Sequence, residues 1–372
     1  MKELFFELIW ISLGHKERFE NPPTREEWER LFFEAQRQTL VGVAFTGVER
    51  LPEEQRPGKE LLLRWYSYVV KIEERNRLMN SMCGKVCRRF EDDGFLATVL
   101  KGQGNAAMYP DPLRRQSGDI DLWTVPKDCS KGRCDSLENI RRVVEYVHRY
   151  APGTEVRYHH VDFPVVKDVP IEVHYRPSYM FAPWHNRRMQ KFFDRYVKES
   201  EKLEDGYKRP GWTMNVVFQM SHVFKHLFDE GIGLRQILDF YYLLQQNHEC
   251  RHNELSQLLS SMGMGRFSRA MMYVMERVFG LEKDKMIVDP DEKSGEFLLN
   301  EIMMTGNFGY YDARHSDLTN ESAAHHFFRK TGRNLKMVRY FPSEAIFEPM
   351  FRIYHWTWRI WMRWRLKLRN NK

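Results

Sequence analysis

Cysteine is too scarce here to organise the fold. The five cysteines, Cys83, Cys87, Cys129, Cys134 and Cys250, are odd in number and include no C-x-x-C pair, which argues against a disulfide framework and a zinc ribbon. Also missing is any apolar run approaching the length of about 18 residues that a membrane span needs. No internal repeat and no low-complexity segment is present. The first residues, Met1 to Trp10, lack a basic leader and a cleavage site, and Glu3 and Glu7 interrupt their apolar stretch. They read as an amphipathic helix rather than a signal peptide, so a cytoplasmic location is expected. Acidic residues are absent from the end: Phe351 to Lys372 holds seven Lys or Arg and no Asp or Glu.

What is present suits a folded protein. A chain of 372 residues with 42% hydrophobic and 14% aromatic residues is long enough for about two domains with a buried core. The net charge of +7 fits nucleic acid, anionic lipid or a polyphosphate substrate, and charge does not choose among them.

The pattern changes twice along the chain. Residues 1–93 read as helical: Thr24 and Glu27 form a capping signal, Pro52 to Gly58 is a linker, and Leu61 to Asp93 is a long helix. Its expected buried stripe is Tyr68, Val69, Ile72, Leu78, Met79, Met82 and Val86. Gly94 begins a mixed segment. Phe95–Leu100 and Gly118–Val125 read as strands and Asn139–Tyr150 as a helix. Glu155–Val166 and Val169–Tyr175 read as a hairpin turning at Lys167-Asp168. From Trp212 the pattern is helical again, broken at Gly231-Ile232-Gly233, at Gly263-Met264-Gly265 and in a polar stretch around Asp312 to Glu321. The expected fold class is α+β, a small mixed sheet flanked by helical regions, with divisions at 1–93, 94–205 and 206–372.

The chemistry concentrates in the mixed segment. In Ser117-Gly118-Asp119-Ile120-Asp121-Leu122, side chains two apart on a strand point the same way, so both carboxylates face one space. Paired hard oxygen ligands suit Mg²⁺ or Mn²⁺. Upstream, Leu100-Lys101-Gly102-Gln103-Gly104-Asn105 offers a glycine turn whose N–H groups can approach a phosphate. Arg114 and Arg115 precede the acidic strand. In the later strand, Ile171, Val173 and Tyr175 alternate with Glu172 and His174, so Glu172 is the best third carboxylate, ahead of Asp162 and Glu155. This set is what metal-dependent nucleotidyl transfer requires.

The same residues carry a family resemblance. Leu100-Lys101-Gly102, Tyr109-Pro110-Asp111-Pro112, Arg115 through Leu122 and Ile171-Glu172-Val173-His174 resemble the uncharacterised bacterial nucleotidyltransferases of the polymerase-β-like superfamily. Weaker likenesses are Glu27 to Leu31, and His222 and His226 with Arg235 and Asp239. The resemblance implies a nucleotidyltransferase core in which Asp119, Asp121 and Glu172 are catalytic and hold metal. It further implies that Lys101, Gly102, Gln103, Gly104, Asn105, Arg115, Ser117 and Gly118 meet the nucleotide. Where many active relatives have Gly-Ser in the turn, this chain has Gly102-Gln103-Gly104.

His222 and His226, at i and i+4, share a helix face and admit zinc, a cleft position beside His174, or a buried network with Arg235 and Asp239. In the tail, Ile353, Ile360, Trp361, Trp364 and Leu368 fall near one side of a helix and Arg352, Arg359 and Arg363 opposite. That pattern fits a helix docked on the helical region with its tryptophans buried, or one lying on an anionic membrane surface at the inner face; nucleic acid is the less favoured partner. The leading function is transfer of an NMP group from an NTP to an unidentified acceptor. The alternatives are a nucleotide-binding regulatory module without turnover, and a membrane-surface or nucleic-acid adaptor acting through the tail.

Overall fold

The computed structural model describes residues 1–129, 133–246, 252–312 and 322–370. The N-terminal helices are α1 (Lys2–Leu13), α2 (Arg25–Arg37), α3 (Val41–Arg50) and the long α4 (Lys59–Asp92). Thr24 caps α2 as expected: its side chain accepts from the Glu27 amide while the Glu27 carboxylate accepts from the Thr24 amide. The buried stripe of α4 is Leu61, Trp65, Val69, Asn76, Met79, Cys83, Val86, Cys87 and Phe90. Tyr68 and Leu78 are exposed instead. Asn76 enters the stripe because its amide nitrogen donates to the carbonyls of Leu113 at 2.6 Å and Arg115 at 2.7 Å, so burial leaves its N–H groups paired.

The mixed segment supplies β1 (Phe95–Val99), the one-turn α5 (Gln103–Ala106), β2 (Ile120–Pro126), α6 (Leu137–Tyr150), β3 (His160–Asp162), β4 (Ile171–His174) and α7 (Pro183–Tyr196). The four strands form one sheet in the order β1-β2-β4-β3, with β2 and β4 parallel and the outer pairs antiparallel. A separate ribbon of β5 (Ser200–Lys202) and β6 (Lys208–Pro210) follows. The chain then continues as α8 (Trp212–Asp229), α9 (Leu234–Gln245), α10 (His252–Ser261), α11 (Gly265–Phe279), α12 (Glu292–Thr305), α13 (Ala323–Leu335) and α14 (Pro342–Asn370). Both glycine-flanked breaks fall between helices, whereas residues 313–321 of the expected polar stretch lie outside the described residues. The α+β class with helical flanks is the observed architecture.

Strand alternation divides the sheet chemically. Ile120, Leu122, Val161, Ile171 and Val173 lie in the core with Ile140, Val143, Val144 and Val147 of α6. The opposite face carries Asp121, Glu172 and Asp162 in one row, because Asp121 pairs with Glu172 and Glu172 with Asp162. Trp123, His174 and His160 form the next row. The hairpin register differs by one residue from a turn at Lys167-Asp168. Phe163 donates to the Ile171 carbonyl at 2.8 Å, and Asp168 bends at φ 62°, so the loop is longer. A one-residue slip exchanges faces, which is why His160 and Asp162 join the polar side.

The terminal helix is docked, but in an orientation opposite to the expected one. Phe351, Trp358 and Met362 are buried, with Phe351 and Trp358 against Tyr158. Arg359 and Arg363 both pair with Glu155, and Arg352 with Glu348. Ile353, Ile360, Trp361 and Trp364 consequently face outward. Leu368 lies outside the residues whose side chains are described.

Candidate active site

Lys101, the first residue after Leu100 beyond β1, places its ammonium between two carboxylates, 3.7 Å from Asp119 Oδ2 and 3.1 Å from Asp121 Oδ2. Asp121 is 1% exposed, and its Oδ2 accepts no well-formed hydrogen bond. Its other oxygen accepts from His174 Nε2 at 3.0 Å, and that nitrogen is also 3.2 Å from Glu172 Oε2. Ligand atoms of Asp121, Glu172 and His174 all lie within 4.8 Å of one another. Among the described residues Asp119 belongs to no cluster that tight, and it meets the others across Lys101. His174, expected in the cleft, is therefore at the centre of the acidic group.

The electrostatics follow from that crowding. Burial alone would lower the Lys101 pKa, yet the charges of Asp119, Asp121 and Glu172 raise it above its ordinary value. Burial opposes ionisation of Asp121, but Lys101 and His174 hold its pKa below the usual range. Glu172 is likewise depressed against its burial, chiefly by the His174 hydrogen bond and by His160. Asp119 moves the other way, raised by desolvation and by the charge of Asp121. His174 is pushed up to about 8, because its carboxylate partners outweigh its burial. A buried carboxylate oxygen without a proper donor, faced by an ammonium, is a place that suits a cation. The site residues thus fit a divalent ion.

A cleft opens beside this group, lined among others by Lys101, Gly102, Asn105, Gly118, Asp119, His222 and Arg235. Gly102 sits at φ 62°, ψ −113°, a conformation that favours glycine. A Cβ there would stand 3.2 Å from the Asp119 carbonyl oxygen. Asn105 Oδ1 accepts from Gln219 of α8 at 3.3 Å. Gln103 and Gly104 do not line the cleft. The Gln103 amide donates to Asn80 of α4, and a Cβ on Gly104 would press 2.9 Å from the Val99 carbonyl oxygen. Ser117 is adjacent, with a buried hydroxyl that has no partner.

Several other candidate residues make structural ties, and of these Arg115, Arg235 and Asp239 also line the cleft. Arg115 forms a buried two-pronged ion pair with Asp239, both hydrogen bonds 2.7 Å long, and Tyr109 donates to the same carboxylate at 2.7 Å. Arg235 donates to the Gln116 carbonyl at 2.7 Å. These bonds fasten the loop before β2 to α9. Arg114 pairs with Glu49, Glu73 and Asp111. His222 and His226 meet edge-to-face with ring centroids 4.4 Å apart and belong to no metal-type cluster among the described residues. Burial lowers the pKa of both.

Residues absent from the sequence-based site complete its far wall. His159 Nε2 is 3.1 Å from His160 Nδ1 and 3.3 Å from the Lys225 ammonium. His160 Nδ1 is 3.3 Å from Glu172 Oε2. Burial pushes His160 down to about 3 and His159 well below its usual range. The signal that would have revealed His160 is the register of β3 on β4.

With this geometry in place, comparison with known proteins decides the lineage. A family described as "Uncharacterised nucleotidyltransferase" matches residues 24–280. The chain belongs to this family of nucleotidyltransferases. The match spans β1 to β4, the Lys101–Asn105 turn, the three carboxylates and the α8–α9 ties. No curated protein matches. Among solved structures, the chain is similar to an antigenic nucleotidyltransferase-like protein from Paracoccidioides brasiliensis. The likeness has a TM-score of 0.32 and 10% identity over 55% of this chain and 92% of that one.

Proposed function

We propose that this nucleotidyltransferase transfers an NMP group from an NTP to an acceptor hydroxyl at a divalent-cation site made by Asp119, Asp121 and Glu172. The observation that supports it most is the convergence of Asp121, Glu172 and His174 within 4.8 Å beside a cleft that Asp119 and Gly102 line. Mg²⁺ or Mn²⁺ held by the carboxylates would neutralise and align the triphosphate. Lys101, displaced from the aspartates, turns its ammonium to the phosphates. The Gly102 backbone and Asn105 side chain bound the same space and take the place of the missing turn serine. The acceptor oxygen attacks the α-phosphorus, its proton passes to Glu172, and the bond from that phosphorus to the departing pyrophosphate breaks.

Purified protein with Mg²⁺ or Mn²⁺ and labelled NTPs is expected to release pyrophosphate or label an acceptor, and Asp119→Ala with Asp121→Ala should abolish this. Tight cation-dependent NTP binding with no turnover across acceptor pools would instead support the regulatory module.

A second reading concerns attachment. Outward-facing Ile353, Trp356 and Trp364 are 56%, 63% and 56% exposed, on a helix with no acidic residue after Glu348. Arg365 lies over the rings of Trp361 and Trp364 at 5.4 and 5.9 Å. Apolar aromatic surface edged by arginine suits an anionic lipid interface. No helix among the described residues is long and apolar enough to cross a membrane. Co-sedimentation with phosphatidylglycerol vesicles, lost in Trp356→Ser/Trp364→Ser, is the expected result. Equal binding to neutral vesicles, or binding to RNA alone, would contradict it.

A further inference from the structure

The far wall of the site contains more nitrogen than a magnesium cage uses. We propose that His159, His160 and His174, with one oxygen of Glu172, form a second cation site, selective for a transition ion of the Zn²⁺ type and set beside the Asp119–Asp121 pair. This goes beyond the nucleotidyl-transfer reading and does not depend on it.

Three successive contacts in the cluster have the spacing of ligand atoms around one ion. His159 Nε2 and His160 Nδ1 are 3.1 Å apart, His160 Nδ1 and Glu172 Oε2 3.3 Å, and Glu172 Oε2 and His174 Nε2 3.2 Å. Tetrahedral bonds of about 2.0–2.1 Å to Zn²⁺ require neighbouring ligand atoms to be about 3.3 Å apart. One ligand atom from each of the three histidines falls within a 4.8 Å group. Two ring nitrogens as close as those of His159 and His160 can share one proton at most, and the second nitrogen of each ring, His159 Nδ1, His160 Nε2 and His174 Nδ1, is buried without a hydrogen-bond partner.

Ligand chemistry separates this site from its neighbour. Three imidazoles and a carboxylate favour Zn²⁺ or Co²⁺, whereas the Asp119–Asp121 side offers hard oxygens suited to Mg²⁺. Glu172 has two oxygens, so one carboxylate can serve both. Strand geometry fixes three of the four ligands: His160 pairs with His174 across β3 and β4, and Glu172 is two residues before His174 on the same face. His159 is held from α8, where the Lys225 ammonium stands 3.3 Å from its Nε2. A bound cation displaces that ammonium toward Asp229 and Glu230, whose charges already act on it. An ion here clamps the short edge strand β3 onto β4 and fixes the carboxylate of Glu172.

Co²⁺ titration of the full metal-stripped chain in excess Mg²⁺, without nucleotide, tests the assignment. One equivalent should bind and give the visible absorption of tetrahedral Co²⁺, and Zn²⁺ should displace it stoichiometrically. His159→Ala and His160→Gln should each weaken binding at least tenfold with helix content unchanged, while Asp119→Ala leaves the spectrum intact. Absence of stoichiometric binding, or binding that survives His160→Gln, would overturn the proposal. So would a signal lost in Asp119→Ala alone, which would place the ion on the aspartates. Pyrophosphate release is a separate measurement, so failure of the transfer reading would leave this result standing.

Discussion

At the residue scale, the transfer we propose sets Lys101 and a divalent cation in competition for the same two carboxylates. The ammonium stands 3.1 Å from Asp121 Oδ2, so Lys101→Met should tighten Mn²⁺ binding in the absence of nucleotide, as isothermal titration will show. The same substitution should weaken NTP binding, because the displaced ammonium is then missing from the phosphates. Tighter metal binding with unchanged nucleotide affinity would remove Lys101 from the phosphate site. The acidic pair and Lys101 were legible in the sequence because a period of two and a neighbouring glycine turn are local facts. The partners of Arg115 and Gln103 were not. Asp239 and Asn80 lie far from them in sequence, and nothing local announces that a buried aspartate holds Arg115.

Buried histidines give the residue scale a pH dependence. His222 and His226 are lowered by burial, and His160 falls to about 3. As pH drops through about 6.5, where unfolded histidine titrates, the unfolded chain takes up protons that the folded chain refuses. Stability therefore falls with pH below that point, by up to about 1.4 kcal/mol per pH unit for each such histidine. Denaturant titrations of metal-free protein between pH 6.5 and 5 should show the slope, and His222→Gln should reduce it. A stability flat over this range would contradict neutral burial.

At the element scale, α9 is pinned to the loop before β2 by Arg115, Tyr109 and Asp239. Asp239→Ala strands a buried guanidinium and should cost about 3–5 kcal/mol in chemical denaturation, while a loss under 1 kcal/mol would mean that Arg115 finds water. Sheet and helices were largely readable from periodicity, and the failures share a physical cause. Apolar pattern says which residues share a face, not what that face meets. In α14 Arg352 and Arg359 turn inward because Glu348 and Glu155 await them, leaving Trp356, Trp361 and Trp364 outside. In the β3–β4 hairpin a longer turn shifted the register by one, which concealed His160 opposite His174. In α4, Asn76 is buried because two loop carbonyls meet its amide, a long-range bond that no helical period announces.

At the scale of the whole molecule, the expected divisions at 1–93, 94–205 and 206–372 are crossed by buried bonds. Asn76 reaches the loop before β2, Gln38 Oε1 accepts from the Leu234 amide at 3.0 Å, and Arg115 reaches Asp239. We propose that these regions unfold together, giving one calorimetric transition; separate transitions would restore them as independent domains. The central claim joins all three scales, since the cleft lies where the turn after β1, the loop before β2 and α8–α9 meet. A structure of the chain soaked with a non-hydrolysable NTP and Mg²⁺ tests it most directly. The expected result is cation density on Asp119 and Asp121, with the triphosphate running along Gly102 toward Lys101 and Asn105. Nucleotide bound elsewhere, or a triphosphate in the cleft with no ion on either aspartate, would contradict the account.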